Sequence, residues 1–210
     1  MCITPTVYNF ISPRAYLSLT RMLKKYYDAD VDWSLIAGKT VAVLGYGSQG
    51  RAQAANLQDS GLAVIVGVRP GRSFEAASHD GFPTMPVADA VRKADILAML
   101  VPDESAAEIF RRDMLPWLHD GQTLVFAHGF NIHYGQIVPP PNVDVVMVAP
   151  KGVGPQVRRL YLEDSGVASL VAVHQDVTGS AKQTALAFAK GIGSARSVIM
   201  ESTFADETEP

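Results

Sequence analysis

The sequence predicts an α/β protein built on a doubly wound, mostly parallel sheet with helices on both faces. Three observations predict it. From Lys39 onward, short runs of Val, Ile, Leu, Ala and Met alternate with stretches of helical spacing. Those runs are continuously apolar, as expected of strands covered on both faces. A glycine-rich turn at 45–50 joins the first run to the first helical stretch, the order of a βα unit in a parallel sheet.

The elements follow in order. Residues 1–21 hold no Asp or Glu and two Arg, a composition that a presequence for an organelle shares. They read instead as a short N-terminal extension before a domain spanning 22–210. The strands expected are Val41–Leu44, Ala63–Val68, Asp95–Val101, Thr123–Ala127, Asp144–Val148, Ser169–Val173 and Ser197–Met200. Helical spacing falls between them at Gln49–Gln58, Phe74–His79, Val87–Lys93, Glu104–Leu118 and Thr178–Lys190. "VPPPNVD" at 138–144 is a turn-rich connector rather than a domain linker. A sheet of this kind, opened by a glycine turn, is Rossmann-like.

The 210 residues are 48% hydrophobic and 19% charged with a net charge of -3, ordinary for a soluble globular protein. That balance argues against nucleic acid as a partner, and no run approaches the roughly 20 apolar residues of a membrane span. The single cysteine, Cys2, has no intrachain partner, so a reducing, cytoplasmic setting is the expectation.

Gly45, Gly47 and Gly50 are spaced G-x-G-x-x-G between a strand and a helix, the context this motif needs to bind a dinucleotide. Gly45 permits the tight turn, Gly47 lets the backbone approach a pyrophosphate, and Gly50 allows close helix–strand packing. Tyr46, Ser48 and Gln49 fill the positions between them. An NAD site carries Asp or Glu about 20 residues further on, to accept from the ribose 2′-hydroxyl. Here Arg69, Arg72 and Ser73 stand in that place, with no carboxylate before Glu75. Guanidiniums suit a 2′-phosphate, because their planar fork donates charged hydrogen bonds, so NADP(H) is the cofactor expected.

The wording of the chain then says more than its pattern. "YYDADVDWSLIAGKTVAVLGYGSQG", "NLQDSG", "VPDE", "AHGFNI", "VMVAPKGVG", "VAVHQDVTGSAKQTALAFAKGIG" and "STFADETE" occur in this order. Together they resemble the N-terminal half of ketol-acid reductoisomerase, from about Met22 to Glu209. The resemblance implies NADPH-dependent, magnesium-dependent isomerisation and reduction of 2-acetolactate-type substrates, in branched-chain amino-acid synthesis. It implies that Tyr46, Gly47, Ser48 and Gln49 bind the pyrophosphate, and that Arg69, Arg72 and Ser73 form a short 2′-phosphate loop. It also puts Asp103, Glu104 and Gly154 near the cofactor, and His128 and Lys151 in the catalytic centre. Read without it, His128 is a turn histidine and Lys151 a solvated loop lysine; both, like Asp103, follow strand C-termini, where open α/β sheets place ligands. His79, His119, His133 and His174 read as structural or surface residues.

The chain departs from the family at Arg51 and Gln53, where histidines are usual, and at Val153, where proline is. Its last segment, "ESTFADETEP", matches the stretch leading into the family's Asp-Leu-Phe-Gly-Glu-Gln, whose acidic residues bind magnesium. The resemblance thus expects Mg²⁺ but places none of its ligands within this sequence. Asp206, Glu207 and Glu209 read as a solvated acidic tail. The expected partners are a small 2-keto or 2-hydroxy acid and either further copies of the chain or a separate helical domain. An uncovered apolar patch beside the last strand is expected to promote self-association. Two alternatives stay open: a stand-alone NADPH-dependent reductase of another ketone or imine, and a non-catalytic NADPH-binding paralogue.

Overall fold

The computed structural model describes residues 24–209. The readings of residues 1–21 and of Cys2 lie outside the described residues.

The described part begins with β1 (Lys25–Tyr26) and two single-turn helices, then reaches β2 (Thr40–Leu44), α1 (Ser48–Asp59) and β3 (Ala63–Gly67). α2 (Arg72–His79), β4 (Thr84–Met85), α3 (Val87–Lys93), β5 (Ile96–Met99) and α4 (Asp103–Ile109) follow. After β6 (Thr123–Phe126) come α5 (Phe130–His133), β7 (Asp144–Pro150), α6 (Gly154–Leu162) and β8 (Ser169–Gln175). α7 (Ala181–Gly191), β9 (Ile199–Glu201) and α8 (Phe204–Thr208) complete it. Among these residues no helix is long and apolar enough to cross a membrane.

The strands form one sheet in the order β1-β9-β8-β7-β6-β5-β2-β3-β4. From β2 the chain winds outward through β3 and β4, then returns to the other side of β2 and winds outward through β5, β6 and β7. These strands pair in parallel. The reversal between β2 and β5 is a topological switch point, where open sheets of this kind bind ligands at the strand C-termini. Two pairings are antiparallel, β7 with β8 and β1 with β9.

Each central strand is buried on both faces because its residues alternate between two cores. Val41, Val43, Ile96, Ala98, Val146 and Val148 face one core with Leu57 of α1 and Phe188 of α7. Ala42, Leu44, Leu97, Met99, Val145 and Met147 face the other with Val91 of α3 and Phe110 and Met114. Continuous apolar runs are the sequence form of that double burial.

Several boundaries differ from the sequence expectation. The helix expected over Glu104–Leu118 is the α-helix α4 at Asp103–Ile109, then a π-helical stretch at Phe110–Met114 and a 3₁₀ turn at Leu115–Trp117. Pro116 makes a continuous helix to 118 impossible, since its ring clashes with the preceding turn. The helix expected from Thr178 begins at Ala181, because the Val177 and Thr178 amides donate to the buried carboxylate of Asp144. α6 was not foreseen: "GPQVRRLYL" opens on Gly-Pro, which reads as a breaker although proline is well placed in a first helical turn.

Candidate functional site

At the switch point the strand ends enclose a cleft of about 710 Å³. Its floor is the glycine turn. Gly45 has φ +99°, and a Cβ there would meet the Leu100 carbonyl oxygen at 2.8 Å. At Gly50 a Cβ would collide with the Gly45 carbonyl, so helix α1 can start this close to β2 only with glycine present. Gly47 differs: a Cβ there would meet nothing within 4 Å. Its missing side chain leaves room over the turn, where the unpaired first amides of α1 suit an anionic ligand.

Tyr46, Ser48 and Gln49 line the same cleft. Tyr46 is a support as well as a wall. It is buried, packs edge-on to Phe82 and donates its hydroxyl to Asp80 Oδ2 at 2.8 Å. Burial pushes the phenol well above its ordinary pKa, and the Asp80 carboxylate adds to that. The Tyr46 hydroxyl and the Arg51 guanidinium in turn hold Asp80 below the usual carboxylate range. Gln49 donates to the Gly152 carbonyl at 2.8 Å and accepts from Gln53. The two family departures on α1 therefore have structural partners, although Gln53 Oε1 is buried without one among the described residues. Val153, the third departure, has φ -70°, an angle proline would also take.

Arg69, Arg72 and Ser73 form the opposite rim of the cleft, at the end of β3 and the start of α2. All three are exposed, and among the described residues none has a hydrogen-bond or ion-pair partner. Two unpaired guanidiniums at a helix start make a local anion site.

A smaller recess of about 170 Å³ continues from the cleft past Leu100–Pro102 to Asp103, His128 and Asn131. Asn131 is buried and donates to Asp103 Oδ1 at 2.9 Å. His128 Nδ1 lies 3.4 Å from Asp103 Oδ2 and accepts from the Phe130 amide. Its Nε2 lies 3.6 Å from Glu207 Oε2. Lys151 Nζ bonds Glu207 Oε1 at 2.8 Å, and the Gly129 amide donates to Glu207 Oε2 at 2.8 Å. The structure thus brings Asp103, His128 and Lys151 to one sheet edge. Glu104 is exposed and lines neither cavity. Gly154, at the start of α6, sits against Ser48 so closely that a Cβ would strike the Ser48 carbonyl.

Glu207 corrects the reading of a solvated tail. Its side chain is only 6% exposed, and Phe204 of the same helix is buried in the second core. Glu209 reaches back to His133 at 2.9 Å. The segment folds because Thr203 caps α8, accepting from the Asp206 amide, and because Phe204 then has an apolar site to fill. Through Phe204 the helix packs against β8 and the helix at Phe130–His133. Thr203-Phe204-Ala205-Asp206 is a legible N-cap signal, and it was the clue available in the sequence.

Magnesium does not fit the described residues. Among them no group of three or more His, Cys, Asp or Glu side chains is arranged to hold a metal ion. Both Glu207 oxygens are occupied by N–H donors, whereas a hard cation needs several converging free oxygens.

Fold and cleft together define a dinucleotide-binding oxidoreductase domain of the Rossmann class. Residues 35–198 match the family described as acetohydroxy acid isomeroreductase, NADPH-binding domain, and the chain belongs to that family. It is similar to the NADH-preferring ketol-acid reductoisomerase of an uncultured archaeon, with 44% identity and a TM-score of 0.85, covering 88% of this chain and 58% of that one. The chain thus spans 58% of the length of that relative. Two further structures share the fold alone. The semialdehyde dehydrogenase NAD-binding protein of Cupriavidus necator is 19% identical with a TM-score of 0.69, covering 80% of this chain and 64% of its own. The imine reductase of Myxococcus stipitatus is 17% identical with a TM-score of 0.58, covering 80% and 56%.

Proposed function

We propose that this chain binds NADPH, in preference to NADH, in the switch-point cleft and serves as the cofactor half of a ketol-acid reductoisomerase acting on 2-acetolactate-type substrates. One observation carries the cofactor choice: Arg69, Arg72 and Ser73 line the cleft, and among the described residues none of them has a hydrogen-bond or ion-pair partner. The archaeal relative prefers NADH, so the preference here is read from these three residues and is not carried over. The glycine turn would hold the pyrophosphate, and NADPH when bound would supply a hydride to the substrate.

The chain's own groups have distinct tasks. Lys151 can hold negative charge on a substrate oxygen, and Glu207 keeps its ammonium oriented. His128, half-exposed at the recess, can hold or pass a proton at Nε2. Asp103 and Asn131 would position that imidazole. The metal-dependent isomerisation is assigned to acidic groups beyond those described here, which would come from a helical domain or partner.

Titration of the chain with NADPH and NADH at low salt tests the cofactor reading. NADPH should bind about 10-fold tighter, the low end for charge-assisted bonds because the loop is exposed. Equal affinities would overturn it. Incubation with NADPH, Mg²⁺ and 2-acetolactate should give no turnover by this chain alone. Robust magnesium-dependent oxidation of NADPH would overturn the half-enzyme reading.

A further inference from the structure

One carboxylate stands in the cofactor cleft where a groove for a polyanion has no obvious use for it. Asp113 lines the cleft from the helical segment after β5. It lies on the π-helical stretch Phe110–Met114, and π turns of this kind are frequent at functional sites.

Ser105, Ile109 and Asp113 all line the cleft. Their spacing of four makes them one stripe on the helix, ending roughly 15 Å from its start at Pro102. Ile109 and, on α3, Val87 are buried lining residues, so the slot beside the stripe has apolar walls. Arg69 is close enough for its charge to act on Asp113. If the glycine turn takes the pyrophosphate and Arg69 and Arg72 take the 2′-phosphate, connectivity leaves this apolar slot for the adenine. We propose that Asp113 accepts a hydrogen bond from the 6-amino group of adenine, making the cleft selective for adenine over 6-oxopurine dinucleotides.

The carboxylate is prepared for that task. Arg112 grips it from one side, Nε to Oδ1 at 2.9 Å and Nη2 to Oδ2 at 2.7 Å. Glu108 anchors the same guanidinium at 2.8 Å. A carboxylate has about four acceptor sites, so two stay open. Arg112 holds the Asp113 carboxyl below the usual range, which leaves it ionised and acceptor-only near neutral pH. Its positive charge also offsets the repulsion that a bare carboxylate would exert on the cofactor phosphates. An adenine amino group donates to such an acceptor; the 6-oxo group of hypoxanthine is itself an acceptor and is repelled.

This inference rests on the NADPH reading, and its test separates the two. The chain is titrated with NADPH, NADH and their hypoxanthine analogues, deamino-NADPH and deamino-NADH, by calorimetry. Each adenine form should bind about 10-fold tighter than its hypoxanthine analogue. This comparison needs no variant. The Asp113→Asn chain, whose amide can donate to the 6-oxo group, should bring each pair to within about twofold and leave the NADPH-to-NADH ratio unchanged. Equal binding of adenine and hypoxanthine forms by the unmodified chain would overturn the proposal. So would an Asp113→Asn chain that changes only the NADPH-to-NADH ratio, since the carboxylate would then act through Arg69 on the 2′-phosphate. If NADPH and NADH bind equally but the adenine preference stands, the phosphate reading alone has failed. If none of the four binds, both readings fail.

Discussion

The cleft rim at β3 and the sheet edge at β6–β7 are built on opposite electrostatic plans. At the β3 end, Arg69 and Arg72 are exposed and make no hydrogen bond or ion pair among the described residues, although the Asp113 carboxylate lies near enough to Arg69 for their charges to interact. At the β6–β7 end, Lys151 is paired with the nearly buried Glu207, and His128 lies between Glu207 and Asp103. An unpaired exposed charge contributes little to folding, so its natural role is to await an anion. A paired, partly buried charge is already satisfied; its attraction for an anion is reduced, and its geometry is held instead. The first end presents exposed positive charge; the second presents charges held in place by one another.

The sharpest way to break this contrast is to empty the positive rim. Replacing Arg69 and Arg72 together by Ala should weaken NADPH binding about 10-fold and leave NADH within about threefold. An equal loss for both nucleotides would mean that the rim acts as a general basic surface. Ser73→Asp, which puts a carboxylate where a 2′-hydroxyl could donate to it, should erase the preference for NADPH.

Next in size is the satisfied end. Glu207→Gln removes the charge on which Lys151 and the Gly129 amide converge, and should cost about 1.5–3 kcal/mol of stability by chemical denaturation. NADPH affinity should not change. If it fell as far as in the double arginine variant, the two ends would be coupled rather than independent.

The smallest expected effect concerns the support under the glycine turn. Asp80 is held below the ordinary carboxylate range by the Tyr46 hydroxyl and by Arg51. Its contribution to stability is therefore complete above that ordinary range, near pH 4. It is lost as the pH falls through the lowered folded-state value. Asp80→Asn should flatten this acid dependence by less than about 1 kcal/mol, because the pairing with Arg51 is partly exposed. An unchanged acid slope in thermal melts would show that Asp80 is not the group responsible.

The cleft was more legible in the sequence than the edge around His128 and Lys151, for a physical reason. The glycine turn and the Arg69–Ser73 loop are local: their spacing alone determines a backbone shape and a charge. Glu207 is far from Lys151 along the chain, and its role depends on a short helix docking through Phe204. The acidic composition of that tail suggested solvent, and only the cap at Thr203 hinted otherwise. Asp113 shares one stripe with Ser105 and Ile109, but helical spacing alone does not say which stripe faces the cleft. Asn131 lies in the "AHGFNI" motif, but its bond to Asp103 joins the starts of two helices remote in the chain, which no local pattern announces.

By itself the sequence determined the double winding, through apolar runs that only a two-faced sheet can bury. It also determined the glycine turn, through Gly45 and Gly50, where a Cβ has no room. Tertiary structure alone decided that β8 runs antiparallel, that α6 presses on α1 through Gly154, and that Glu207 lies buried against Lys151. Those features arise from contacts between segments remote in the chain, and hydrophobic pattern carries no information about which remote partner a side chain will meet.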